Sequence, residues 1–221
     1  MKLLRGLAGL VGELMITAGA FLLLFVGWQL WWTDVTSDAD AAQAVTTLQG
    51  QFDDTEWVQP RHVALGDAFA IVRVPRFGSG FARPLYEGTT RDVLQRGVGH
   101  YQGTVMPGQV GNFAMAGHRT TYGKPFNRID QLRVGDAVVV ETKTTWFVYR
   151  VTGHQIVDPS HTSVLLPVPD EPDAEPTVAV LTMTSCHPEF SAQQRFVVHA
   201  ELADSYPHAR GVPADVWEVT G

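Results

Sequence analysis

The sequence predicts a mainly β domain, a barrel or a sandwich, carried behind one N-terminal membrane-spanning helix. Three observations predict it. Short runs rich in β-branched and aromatic residues alternate with turn residues from about residue 69 to residue 202. No long amphipathic helix pattern falls between those runs, which argues for antiparallel or mixed pairing rather than βαβ crossovers. A separate, nearly uncharged apolar run stands near the N-terminus. The chain has 221 residues, 45% of them hydrophobic, enough to bury one sizeable core.

Between Gly6 and Thr33 the only charged residue is Glu13, and LMITAGAFLLLFVGWQLWW (14–32) is uncharged throughout. That run approaches the roughly 20 residues needed to cross a bilayer's hydrocarbon core. Lys2 and Arg5 precede it and Asp34, Asp38 and Asp40 follow, so the positive-inside rule places the N-terminus in the cytoplasm and the remainder outside. Trp28, Trp31 and Trp32 stand where an interfacial aromatic belt is expected. The competing reading is a cleaved signal peptide, because ADA (39–41) and AQA (42–44) have the small-x-small form. The apolar run is longer than an ordinary signal core, and the tryptophans separate it from those sites.

The expected organisation is a stub and anchor (1–33), a linker (34–65), the β domain (66–204) and a C-terminal tail (205–221). Residues 33–57 are polar and rich in Ala, Gln and Asp, which reads as linker with at most one short helix. Strands are expected at FAIVRVP (69–75), GNFAMAGH (111–118), DAVVVET (136–142), TTWFVYRVTGHQIV (144–157), TVAVLTMTSC (177–186) and RFVVHAEL (195–202). A Gly-Asp turn in LRVGDAVVV introduces the third of these. Pro167, Pro169, Pro172 and Pro176 exclude a central strand or helix between the fourth and fifth, leaving an exposed acidic loop. The net charge of −7, with no basic stripe, argues against nucleic acid as a partner class.

The single cysteine, Cys186, ends the fifth run. Outside the cytoplasm it cannot form an internal disulfide, so it is either an inert buried residue or a working thiol. Strand parity separates apolar Ala179, Leu181 and Met183 from Val180, Thr182, Thr184 and Cys186 on the opposite face. In the sixth run Phe196, Val198, Ala200 and Leu202 oppose Arg195, Val197, His199 and Glu201. If the two runs form a hairpin across HPEFSAQQ, a thiol and a guanidinium share one open face, where the cation favours the thiolate and can stabilise an oxyanion.

A thiol nucleophile needs a proton-transfer partner, and the chain offers eight histidines. His118 stands out because it leaves a strand and enters a loop containing Gly, Thr and Tyr. His187 is adjacent to Cys186 but points the other way in an extended chain, and His100, His154, His161 and His199 remain open as surface or satisfied residues. Three other chemistries fit poorly. CHPEFSAQQR is Cys-x8-Arg rather than the Cys-x5-Arg of a phosphatase loop, papain-type signatures are absent, and one Cys with scattered His does not make a zinc site.

The residues AGHRTTYGKPF, LRVGD and LTMTSCHPEFSAQQRFVV, with the N-terminal anchor, resemble those of a sortase, a cysteine transpeptidase of the Gram-positive surface. The resemblance covers about residues 66–202. GVGHYQGT, HRTTYGKPF and CHPEFSAQQR are most similar to class E, the housekeeping type of high-GC actinobacteria associated with Leu-Ala-X-Thr-Gly signals. Met183 and Ser185 depart from the family's usual Thr-Leu-x-Thr-Cys. The resemblance implies a closed β-barrel with short helices, Cys186 as nucleophile, His118 as acid and base, and Arg195 as donor to substrate or oxyanion. It further implies that Thr182 and Thr184 line the substrate groove and that Tyr101 receives the second signal residue. The implied partners are secreted proteins bearing a C-terminal sorting signal and a cell-wall precursor amine, with the membrane engaged by the N-terminal helix. No cofactor or metal is called for. The alternative is a membrane-anchored β domain for adhesion or scaffolding whose cysteine is idle.

Overall fold

The computed structural model describes residues 2–56, 58 and 62–219. Helix α1 runs unbroken from Lys2 to Asp53. Its first half contains Gly9–Trp28, a 20-residue apolar segment that buries nothing against the rest of the chain, a candidate membrane span. Trp28 is exposed, while the side chains of Trp31 and Trp32 lie outside the described residues. The second half overturns the expectation of a linker. Ala41, Val45, Leu48 and Phe52 recur at helical spacing and are buried, three of them packing with Ile71 of the barrel. Lys143 closes the helix end by donating to the carbonyls of Gln51 (3.1 Å), Phe52 (3.2 Å) and Asp54, where a cation also meets the negative end of the helix dipole.

The domain itself is a closed barrel of β1 (Ala68–Arg73), β2 (Arg83–Glu87), β3 (Val98–His100), β4 (Gly111–Ala116), β5 (Ala137–Glu141), β6 (Thr145–Val157), β7 (Ala179–His187) and β8 (Gln194–Pro207). Around the barrel the order is β1-β2-β3-β4-β7-β8-β6-β5, with β5 returning to β1. Pairs β2–β3 and β4–β7 are parallel and the others antiparallel. A one-turn helix α2 (Arg91–Leu94) joins β2 to β3. All six expected strands are present. Neither β2 nor β3 was expected, since Pro84 lies inside the first and the second has three residues.

The inward set on β7 and β8 is the one parity assigns: Leu181, Met183, Phe196, Val198 and Ala200 join the core with Phe113. Burying each large apolar side chain of this kind contributes about 1.5–3 kcal/mol. The Tyr149 hydroxyl, inside this core, accepts the Gly108 amide at 2.7 Å, and burial pushes its pKa up to about 12. The C-terminal segment is not free either. Beyond β8, Val216 packs with Ala137, Val139 and Val148 on the barrel's outer face, and Trp146 stacks on His208 at 5.3 Å.

Candidate active site

Antiparallel register pairs Cys186 with Arg195 at the mouth of the β7–β8 hairpin, as strand parity requires. Cys186 is free and half-buried. The Arg195 guanidinium donates to the carbonyls of Ala192 (3.0 Å) and Gln194 (2.9 Å), so the connecting loop holds it at the same end of the barrel as the thiol.

His118 reaches that end because β4 lies parallel to β7. Ala116 is level with Thr184, and two residues further along each chain stand His118 and Cys186. The two strands stay joined past the ladder: the Gly117 amide donates to the Thr184 carbonyl (3.2 Å), and the Ser185 hydroxyl donates to the Gly117 carbonyl (2.8 Å). A Cβ on Gly117 would come within 2.7 Å of the Phe126 ring, so this approach requires glycine. The His118 ring packs against Tyr122 at 5.2 Å, and its Nε2 is buried with no hydrogen-bond partner among the described residues. Burial, followed by the positive charge of Arg91, lowers its pKa below the ordinary histidine value.

Arg119 is a residue that sequence reasoning missed. It is only 4% exposed, pairs with Asp130 at 2.8 Å, and directs its other terminal nitrogen to His187 Nδ1 (3.1 Å) and the Cys186 carbonyl (3.4 Å). Its neighbour Asn127 donates both to the Arg119 carbonyl (2.9 Å) and to Glu189 (3.1 Å). The loop after β4 is therefore bound both to the end of β7 and to the loop that follows it, which fixes the segments flanking His118 and Cys186 relative to one another. His187, engaged by Arg119, is occupied in this clamp.

Thr182 and Thr184 are on the face parity assigns, but that face is roofed over and neither residue lines an open surface. Thr182 is fully buried, its hydroxyl bonded to His199 Nδ1 at 3.0 Å. The opposite ring nitrogen of His199 meets Gln155 (3.1 Å), which donates to Asp170 (2.8 Å). Asp170 also takes His161 (2.8 Å) and Ser163 (2.7 Å), and these bonds outweigh partial burial and hold its carboxyl below the usual range. Asn112 donates to the carbonyls of Val164 (2.9 Å) and Leu166 (3.0 Å), so the β6–β7 connection, including the expected proline-rich loop, is tied down over β4 and β7. Thr184, 5% exposed, shares a 2.9 Å hydrogen bond with the hydroxyl of half-buried Tyr101. His100 is a satisfied core residue, bonded to Glu87 at 2.7 Å and stacked on Phe113. Among the described residues, no three His, Cys, Asp or Glu side chains converge to hold a metal ion.

Cys186, Arg195 and His118 thus stand at one end of the barrel, and the chain as a whole is similar to known proteins. The Sortase domain family matches residues 72–203. Sortase SrtE1 of Streptomyces coelicolor is 38% identical over 211 residues, covering 92% of this chain, while the chain spans 59% of that protein's length. The solved structure of sortase E from Streptomyces avermitilis superposes with a TM-score of 0.63 at 41% identity, covering 69% of this chain and 99% of that one. Sortase E1 from Streptomyces coelicolor, solved with a tripeptide in the active site, gives a TM-score of 0.63 at 35% identity over 69% of this chain and 98% of that one. The matched span runs from the end of β1 into β8 and includes Cys186, Arg195 and His118, and the chain belongs to the sortase family, in the company of its class E members.

Proposed function

We propose that this chain is a membrane-anchored cysteine transpeptidase that cleaves a Leu-Ala-X-Thr-Gly-like signal between Thr and Gly and joins the threonine to a cell-wall precursor amine. The observation that carries this reading is the parallel pairing of β4 and β7, whose ladder ends at Ala116 and Thr184, two residues before His118 and Cys186, together with the register pair of Cys186 and Arg195. The Cys186 sulfur attacks the threonine carbonyl, and the electrons of the C=O bond move onto oxygen. Arg195 donates to that oxyanion or to the adjacent substrate carbonyl, a stabilisation worth about 3 kcal/mol per donor. As the tetrahedral species collapses the C–N bond breaks, and the His118 imidazolium gives its proton to the departing glycine amine. The thioester is then attacked by the incoming amine, whose proton returns to His118 as the thiolate leaves. The low pKa of His118 suits it to the second step, where it is the base.

Two further observations support the reading. Tyr101 bonded to Thr184 places a phenol on the Cys186 side of β7, where it would contact the residue after the signal's leucine. The apolar segment Gly9–Trp28 would hold the domain at the outer membrane surface with the N-terminus cytoplasmic, concentrating it beside membrane-bound substrates. The tripeptide held by the Streptomyces coelicolor relative is consistent with a peptide substrate at this site. The experiment is steady-state transpeptidation of Leu-Ala-X-Thr-Gly peptides with an amine acceptor. His118→Ala and Arg195→Ala should each lose several orders of magnitude, and His187→Ala should lose far less. Equal losses from His187→Ala and His118→Ala would overturn the assignment of the acid and base.

A further inference from the structure

We propose that the stretch of α1 just past its apolar segment, at Ser37 and Asp38, is a positioning element for His118, acting through Arg83 and the turn Tyr122–Lys124. The proposal rests on the role of His118 given above. Arg83, at the start of β2, donates from one terminal nitrogen both to Asp38 (2.6 Å) and to the Gly123 carbonyl (3.1 Å). Gly123 lies against the helix itself: a Cβ there would stand 3.0 Å from the Asp38 carboxylate and 3.5 Å from the Ser37 Cβ. The anchor helix and the loop that carries His118 are therefore in direct contact.

The turn in contact with the helix is one that needs external support. Tyr122, Gly123 and Lys124 are successive left-handed residues, with φ of 53°, 71° and 45°, and two of them are not glycine. Such conformations persist only where the surroundings fix them. Gln95 fixes one side by donating to the Tyr122 hydroxyl (3.1 Å), and Arg83 with α1 fixes the other at Gly123. What the turn holds is the Tyr122 ring, packed on His118 at 5.2 Å. Because Nε2 of His118 is buried with no hydrogen-bond partner among the described residues, this packing orients the imidazole in place of a hydrogen bond to that nitrogen. Asp38 stands ten residues past Trp28, about 15 Å along the helix at ~1.5 Å per residue, so the same rigid rod that crosses the apolar segment reaches the catalytic loop. The anchor then sets the geometry of the acid and base as well as the location of the enzyme.

The test uses the full chain in detergent micelles as Asp38→Arg, Arg83→Asp and the double exchange. Two readouts are taken: hydrogen exchange of the Lys124 and Phe126 amides, which donate to Thr121 and His118 carbonyls, and the kcat against KM of transpeptidation. Each single reversal should speed exchange at these amides about fivefold, the scale of one partly exposed ion pair, with no change in the amides of β4 and β7. It should lower kcat by a similar factor with KM unchanged, and the double exchange should recover both readouts. Unchanged exchange in the single variants, or no recovery in the double, overturns the proposal. An inactive wild type would count against the proposed function alone, and the exchange result would still decide whether the helix supports the turn.

Discussion

Replacing Arg119 by methionine tests whether the clamp between the two catalytic loops is required for chemistry. Methionine keeps an unbranched apolar stem and removes the guanidinium, whose central carbon lies 5.8 Å from the centre of the Phe196 ring, so the loss is chiefly polar. Asp130 is 46% exposed and can be rehydrated, so its pair with Arg119 contributes only about 0.5–1 kcal/mol. The bond to His187 Nδ1 is a charge-assisted one of normal length and adds about 1.5 kcal/mol. The contact with the Cys186 carbonyl, at 3.4 Å, is too long to count for much energetically, although it is the one that touches the residue proposed as nucleophile. The sum is about 2–2.5 kcal/mol, and for a domain of this size the melting temperature should fall by about 5–10 °C. A clamp that also sets the approach of His118 to Cys186 predicts a second effect. At a temperature where the variant is fully folded, kcat should fall by about 10²-fold with KM little changed, since a displacement of about 1 Å at the reacting groups is enough for that. Arg119→Lys, which retains the charge and one donor, should recover part of the rate. Thermal unfolding and peptide kinetics on the three proteins measure both effects. A destabilised but kinetically normal Arg119→Met would refute the positioning role, and a variant unchanged in both would refute the clamp.

Other outcomes follow from individual contacts. Tyr101→Ala should lose much of the wild-type preference for Leu-Ala-X-Thr-Gly over Leu-Pro-X-Thr-Gly, by about tenfold in the ratio of kcat/KM, because the phenol that Thr184 orients is gone; an unchanged ratio would remove Tyr101 from specificity. Burial lowers the pKa of both His118 and His199, so the unfolded chain binds protons more readily than the folded one. Stability should therefore fall as pH drops through the ordinary histidine value of about 6.5. Urea midpoints at neutral and mildly acid pH should show this slope, and His199→Gln should flatten it; a midpoint that rises on acidification would contradict the sign. Protease added to protoplasts should digest the barrel and spare the N-terminal segment, whereas protection of the Cys186 region would reverse the topology.

Much of the hairpin that carries Cys186 was legible because its information is local. Two runs of period two with one short loop between them determine which residues face inward, and Cys186 and Arg195 then fall opposite each other. The pairing of β4 with β7 was not legible from periodicity, since about sixty residues and two strands separate them, so His118 stood out only by its place between a strand and a polar loop, and the family resemblance supplied its role. The roof over Thr182 is equally non-local: Asn112 reaches Val164 and Leu166 from more than fifty positions away, so a polar strand face that read as open is closed. Ala41, Val45, Leu48 and Phe52 did carry a helical stripe, but it is diluted by Ala, Gln, Thr and Asp and the segment read as linker. Pro84 concealed β2, and nothing in the polar residues around Arg119 marks it as buried.

The central claim is that Cys186 forms a thioester with the threonine of a sorting signal. It is tested most directly by incubating the protein with a Leu-Ala-X-Thr-Gly peptide in the absence of an acceptor amine, quenching with acid and measuring the intact mass. The expected result is an added mass equal to the peptide ending at threonine, located by digestion to the segment containing Cys186, released by hydroxylamine and absent from Cys186→Ala. A full-length peptide adduct, an adduct on another residue, or cleavage by Cys186→Ala would contradict it.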